Sequence, residues 1–138
     1  MTKVRPGGNM RLVDALQYKL PLAGIVSILH RASGVLMVAL LPFIVWMFDT
    51  SVSSEASFDV FASVFSVGVG AVPGWCVKLV ALGLIWAYLH HLGAGLRHLW
   101  MDATHSVSKE QGRSSAVASA AFTVVLTVLL GAKLFGMY

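Results

Sequence analysis

The sequence predicts an all-α membrane protein with three transmembrane helices. Its 138 residues are 57% hydrophobic and only 12% charged, whereas a soluble domain usually carries about a quarter charged residues. Mean hydropathy is +0.80, and three long apolar runs follow one another along the chain. We therefore interpret residues 1–138 as a single membrane domain with approximate spans over residues 22–48, 73–101 and 114–137.

The first span, over residues 22–48, carries its ionisable side chains near its inner end. Ser27, Arg31 and Gly34 follow one another at intervals of four and three residues, so they share one helix face, and His30 lies beside them. An ionisable group inside an apolar span is costly unless it faces protein or a cavity. We therefore expect Arg31 to be buried against an anionic or strongly polar partner, supplied by a ligand or another subunit.

The connector over residues 49–72 contains Asp49, Glu55 and Asp59 but no lysine or arginine. Its middle part, residues 54–65, has phenylalanines at helical spacing and predicts a short amphipathic helix that lies in the membrane interface. Another short amphipathic helix is predicted over residues 13–20, ahead of the first span. We assign no chemistry to either segment.

The second span, over residues 73–101, has the most informative polar pattern of the chain. His91, Gly95, His98 and Asp102 form one narrow stripe on a helical wheel, and His90 with Arg97 forms a second stripe beside it. Imidazole is a common protein ligand of haem iron, and a glycine one turn from a histidine leaves room for a flat macrocycle. The alternative is that these histidines merely line the end of the helix.

A haem on this helix would need a second axial ligand from elsewhere. His91 and His98 lie about 10 Å apart along the helix axis, which is too far for both to bind one iron from opposite sides. His90 points about 100° away from His91. The single cysteine, Cys76, forms no haem-attachment motif and no internal disulfide, so a haem would be held non-covalently.

The third span, over residues 114–137, begins with small side chains that allow close helix packing.

Basic residues collect before the first span and in the loop over residues 102–113, whereas the connector has none. By the positive-inside tendency, the N-terminus and second loop are cytoplasmic and the C-terminus is periplasmic. The polar clusters of the first two spans then lie at the same, cytoplasmic, end and form one site. The net charge of +4 is explained by these loop cations, and no nucleic-acid partner is expected.

The two polar clusters carry a family resemblance. Residues 27–34 resemble the S-x-x-H-R-x-[ST]-G signature of the cytochrome b membrane-anchor subunit of succinate dehydrogenase (respiratory complex II). Residues 91–102 are similar to the second signature of that family, H-x-x-x-G-x-R-H-x-x-x-D. Both signatures occur in the expected order, at the inner ends of the first and second of three spans.

The resemblance implies a subunit that does no succinate chemistry itself. It implies a partnership with a second small membrane anchor, and the two anchors hold one haem b between two histidines, one from each chain. It further implies docking of the iron–sulfur and flavoprotein subunits on the membrane. Electrons then pass from succinate to ubiquinone, as the tricarboxylic acid cycle and respiratory chain require.

The resemblance also implies roles for particular residues. His91 matches the axial ligand of the haem iron, and His30 with Arg31 lies on the side of the haem propionates. Ser27 and Arg31 match residues of the quinone site. His98 and Asp102 match signature positions for which we assign no role beyond a structural one.

Two other readings remain open. The chain could be a haem-free structural anchor, or it could anchor a quinol:fumarate reductase, which has the same architecture and runs in the opposite direction. A transporter is disfavoured because three spans contain no inverted repeat. The N-terminal stretch shows no Arg- and Ser-rich transit peptide, which favours the bacterial inner membrane over the mitochondrion.

Overall fold

The computed structural model describes residues 20–105 and 108–138. Over these ranges the chain forms α1 (Leu22–Ser53), α2 (Glu55–Ser66), β1 (Gly68–Val69), β2 (Val72–Pro73), α3 (Gly74–Thr104) and α4 (Lys109–Leu134). Three of the helices, α1, α3 and α4, are long and apolar enough to cross a membrane. The prediction of an all-helical chain with three spanning helices is therefore confirmed. The short helix predicted over residues 13–20 falls, apart from Leu20, outside the described residues.

Helix α1 is longer than the first predicted span. It begins directly after Pro21 and continues through Pro42. It ends five residues beyond position 48, where hydroxyl side chains bond back to helix carbonyls, such as Thr50 to Trp46 at 2.9 Å and Ser53 to Asp49 at 2.6 Å. These local bonds satisfy the hydroxyl groups within the last turns of the helix.

Helix α2 is the connector helix predicted over residues 54–65. Ser54 begins it with a capping box, because its hydroxyl accepts from the backbone of Ser57 while the Ser57 hydroxyl accepts from the backbone of Ser54. A tight antiparallel turn, β1–β2, then leads into α3. At Gly74 an added Cβ would lie 2.7 Å from the carbonyl oxygen of Phe65, so only glycine allows α2 to sit this close to the start of α3.

Helix α4 begins five residues earlier than the third predicted span. His105 ends α3 in the left-handed conformation, with φ of 53°. Ser108 and Gln111 then form a second capping box at the start of α4. This Ser-x-x-Gln pattern is a helix-start signature in the sequence, but it lies in a polar segment that hydropathy alone assigns to the loop.

Helix α3 packs against both α1 and α4, and small side chains fill the contacts. Val26, Ala94 and Ala116, one from each spanning helix, form a buried cluster. On the far half of the α3–α4 seam, an added Cβ on Gly131 would lie 2.9 Å from Leu82. The expected close approach of small residues therefore occurs between α3 and α4. Much of the apolar surface of α1 is exposed, as for Val35 and Val38, and is available to lipid or another subunit.

Candidate cofactor site between α1 and α3

Three histidines from two helices meet where α1 begins and α3 approaches its end. The imidazole of His30 stacks on that of His91 with ring centroids 4.2 Å apart and planes inclined by 23°. The His98 ring lies 5.3 Å from the His30 ring. Of the polar groups predicted at the inner ends of the first two spans, His30, His91 and His98 are thus brought together, because α1 and α3 run in opposite directions and both place histidines at this end.

The backbone of α1 fixes the His91 ring. Its Nδ1 lies 3.1 Å from the carbonyl oxygen of His30 and 3.2 Å from the hydroxyl oxygen of Ser33. A carbonyl oxygen can only accept a hydrogen bond, so the proton of a neutral His91 ring sits on Nδ1. Nε2 then keeps its lone pair, and it makes no hydrogen bond within the described parts of the chain. This is the arrangement of a metal-ligating histidine whose other nitrogen is held by a backbone carbonyl.

Two glycines flank the stacked imidazoles. An added Cβ on Gly34 would lie 3.0 Å from Cε1 of His91, and one on Gly95 would lie 3.5 Å from Nε2 of His30. The first distance is shorter than ordinary packing allows, so a side chain at position 34 would displace the His91 ring. The two glycines therefore let the rings of His91 and His30 lie directly against the backbone of the opposite helix.

The second stripe of α3 is buried inside the chain. His90 is 3% exposed, its Nε2 lies 3.3 Å from the carbonyl oxygen of Val26, and its ring stacks on Trp86 at 5.4 Å. Arg97 is 8% exposed and donates from Nε to Ser115 at 3.0 Å and from Nη2 to the carbonyl oxygen of Gly112 at 3.2 Å. His90 therefore lies in the contact between α3 and α1, and Arg97 lies in the contact between α3 and α4.

Arg31 is open to a partner from outside this chain. We expect its guanidinium to be buried against an anionic or strongly polar partner from a ligand or another subunit, and in this chain alone Arg31 is exposed on the surface of α1, while the neighbouring Ser27 is half-buried. The reason is that α3 contacts α1 through Val26, His30 and Ser33, which turns position 31 outward. The buried arginine of the chain, within its described residues, is Arg97 instead.

Ser33 was not singled out from the sequence, although it lies inside the first signature. It is 3% exposed, donates to the carbonyl oxygen of His30 at 2.8 Å and faces Nδ1 of His91. The signal that would have found it is its spacing, since Ser33 follows His30 by three residues and so lies one turn along the same face. Asp102, by contrast, is exposed, and its backbone carbonyl accepts from His105 Nδ1 at 2.8 Å.

Three spanning helices with a histidine cluster at one end of the bundle define a small integral membrane protein. The chain belongs to the family described as the succinate dehydrogenase/fumarate reductase transmembrane subunit, which it matches over residues 7–130. It is therefore a membrane subunit of that class of complex, and the resemblance drawn from the two signatures is confirmed.

Two relatives illustrate how far the similarity extends. The succinate dehydrogenase cytochrome b556 subunit of Paracoccus denitrificans is 38% identical over 123 residues, which cover 88% of this chain and 89% of the relative. The subunit of the same name from Coxiella burnetii is 30% identical over 119 residues, which cover 86% of this chain and 90% of the relative. Both similarities extend across all three spanning helices.

Proposed function

We propose that this subunit holds a b-type haem in the membrane and helps to form the quinone site of a succinate:quinone oxidoreductase. The observation that carries the proposal is the His91 imidazole, whose Nδ1 is hydrogen-bonded to the His30 carbonyl so that Nε2 keeps a free lone pair. The relatives are named cytochrome b556 subunits, which supports a b-type haem here. Imidazole is the expected axial ligand for such a group.

The residues around His91 fit a haem. Gly34 and Gly95 let the rings of His91 and His30 lie directly against the helix backbones, and His91 offers one ligating nitrogen of fixed tautomer. His30 and Arg31 would hold the propionates, since both lie at the polar end of α1 and Arg31 is exposed. Haem b, when bound, supplies reversible one-electron exchange, while this chain orients the ligand, fixes its proton and provides positive charge.

The second axial ligand comes, in this proposal, from a second small membrane anchor. His30 is in stacking contact with His91 at 4.2 Å, so no porphyrin plane fits between those two rings. His90 is buried against Val26 and Trp86. These two histidines are therefore excluded as the partner of His91 across one iron. The broad exposed face of α1 is where we place the contact with the other anchor.

The quinone site is proposed at Ser27 and Arg31. They lie four residues apart, hence on one face of α1, with Ser27 half-buried and Arg31 exposed. A hydroxyl and a guanidinium can both donate hydrogen bonds to a quinone carbonyl. Because Arg31 faces outward, the remaining walls of this site would come from another subunit, and the iron–sulfur subunit is the electron donor that the proposal requires.

We propose further that residues 1–138 act as a single anchor domain in a bacterial inner membrane, with the N-terminus cytoplasmic and the C-terminus periplasmic. The charge asymmetry of the loops supports this orientation. A reporter enzyme that works only in the periplasm should be active when it is fused after Tyr138. A fusion active only in the cytoplasm would contradict the orientation.

The central experiment is purification of the intact complex through a tag on this chain. We expect the iron–sulfur and flavoprotein subunits to co-purify, and the reduced-minus-oxidised spectrum to show the α-band of a b-type haem. An assembled complex without that band would instead identify a haem-free structural anchor. The names of the two relatives favour succinate oxidation, and steady-state rates in both directions would separate this activity from fumarate reduction.

A further inference from the structure

A groove of about 970 Å³ lies between α3 and α4, on a part of the surface to which α1 contributes nothing. Its floor contains Arg97, Ser115 and Ser119, and its walls include Leu96, Leu99 and Trp100. The three wall side chains are 55%, 67% and 65% exposed, on the outer surface of a spanning helix. The groove thus combines a cationic floor with apolar walls that face the bilayer.

The charge on the floor is not balanced within the described chain. Two of the five N–H donors of Arg97 bond to Ser115 and to the Gly112 carbonyl, and both acceptors are neutral. In residues 20–105 and 108–138, no carboxylate forms an ion pair with Arg97, and its other donors make no hydrogen bond. A guanidinium that is 8% exposed inside a membrane helix calls for an anion.

Ser119 provides an independent observation at the same floor. It is 7% exposed, and its hydroxyl oxygen has no hydrogen-bond partner within the described residues. The hydroxyl lies against Gly93, where an added Cβ would come within 3.4 Å of it. A buried hydroxyl without a partner usually marks a place where a ligand or water completes the bonding.

The depth of the groove indicates which kind of anion it takes. Arg97 lies seven residues before the end of α3, which is about 10 Å along the axis. Trp100 one turn further on is exposed, and exposed tryptophan is typical of the membrane–water interface. An anion held at this depth between apolar walls matches a lipid phosphate with its acyl chains, and basic pockets between membrane helices are known to hold anionic head groups.

We propose that the α3–α4 groove is a binding site for one anionic phospholipid, with its phosphate on Arg97 and an acyl chain along Leu96, Leu99 and Trp100. The site is separate from the histidine cluster and does not depend on haem. Its structural effect is to supply the negative charge that Arg97 lacks, which stabilises the α3–α4 seam at this end of the bundle.

The test measures lipid retained by the intact, delipidated complex. Phosphatidylglycerol or phosphatidylcholine is added back, and bound lipid is counted by native mass spectrometry. We expect retention of phosphatidylglycerol, but not phosphatidylcholine, and an affinity lower by roughly tenfold or more in Arg97→Gln, since a charge-assisted bond is lost. Arg113→Gln is the matched control, because Arg113 is an exposed arginine on α4 outside the groove.

A second variant keeps the test decisive if Arg97→Gln fails to assemble. Ala118 is exposed and lines the groove, so Ala118→Trp fills it while Arg97 remains, and retention should again fall. Unchanged phosphatidylglycerol binding in either variant, or equal binding of phosphatidylcholine, overturns the proposal. So does displacement of the lipid by inorganic phosphate alone, or a photocrosslink from position 118 to a protein subunit in place of lipid.

Discussion

Two pairs of like residues in this bundle have opposite environments. His91 and Arg31 are open, since the first is half-buried with a free ring nitrogen and the second is exposed. His90 and Arg97 are closed, at 3% and 8% exposure, and are bonded within the chain. Residue type alone therefore does not decide the environment of a polar side chain in a membrane helix. Its rotation about the helix axis does, because one step of about 100° separates the open His91 from the buried His90.

The largest difference between an open and a closed residue is expected when each of the two histidines is removed in turn. His91→Leu should abolish the low-spin b-type spectrum of the purified complex, because it removes the proposed axial ligand. His90→Leu should keep that spectrum and lower only the melting temperature, since the lost hydrogen bond to Val26 is worth about 0.5–1.5 kcal/mol. An unchanged low-spin spectrum in an assembled His91→Leu complex would show that another histidine binds the iron.

Replacing the exposed Arg31 should have a smaller effect than replacing His91, and that effect is on turnover. Loss of a charge-assisted hydrogen bond worth about 1.5–3 kcal/mol should slow the quinone step roughly tenfold or more in Arg31→Leu, and Ser27→Ala should slow it in the same direction. Electron transfer to an artificial acceptor upstream of quinone should be unaffected. Arg113→Leu, which removes an exposed arginine of α4, serves as the control. Equal loss of both activities in an assembled Arg31→Leu complex would contradict the quinone assignment.

Replacing Ser33 should give the smallest effect, and it tests how the ring of His91 is held. Ser33→Ala removes the hydroxyl beside Nδ1 of His91 but leaves the His30 carbonyl in place. We expect bis-histidine ligation to persist with a shifted haem reduction potential, measured by optical redox titration. Ser63→Ala is matched to it, because Ser63 makes the same local bond to a carbonyl three residues earlier but lies exposed on α2. Equal haem reduction potentials in the unmodified, Ser33→Ala and Ser63→Ala complexes would contradict a role for Ser33 in the site.

The sequence predicted the parts of this structure that depend on hydropathy and charge. The three spanning helices follow from apolar runs, and the meeting of His30 with His91 and His98 follows from antiparallel helices whose polar ends coincide. Those inferences need only the period of a helix and the cost of placing charge in a bilayer. No knowledge of the detailed packing is required for them.

The rest depended on tertiary contacts that a single helix does not encode. A helical wheel gives the angle between His90 and His91, but it does not give which of the two faces α1 or at which depth. The start of α4 at Lys109 is an exception, because the capping box of Ser108 and Gln111 that sets it is a local pattern in the sequence. The bond from Ser33 to His91 joins residues 58 positions apart, and it becomes visible only when α1 is docked on α3.

Two backbone atoms, the carbonyl oxygens of Val26 and His30, hold the two neighbouring histidines His90 and His91. This affects what a mutational scan can detect. Every amino acid carries that carbonyl, so no substitution at position 26 or 30 deletes the acceptor itself. A scan of α1 would therefore score these two positions by the size and polarity of their side chains and would miss their part in orienting the rings. These two acceptors therefore depend on the path of the α1 backbone at positions 26 and 30, whichever side chains stand there.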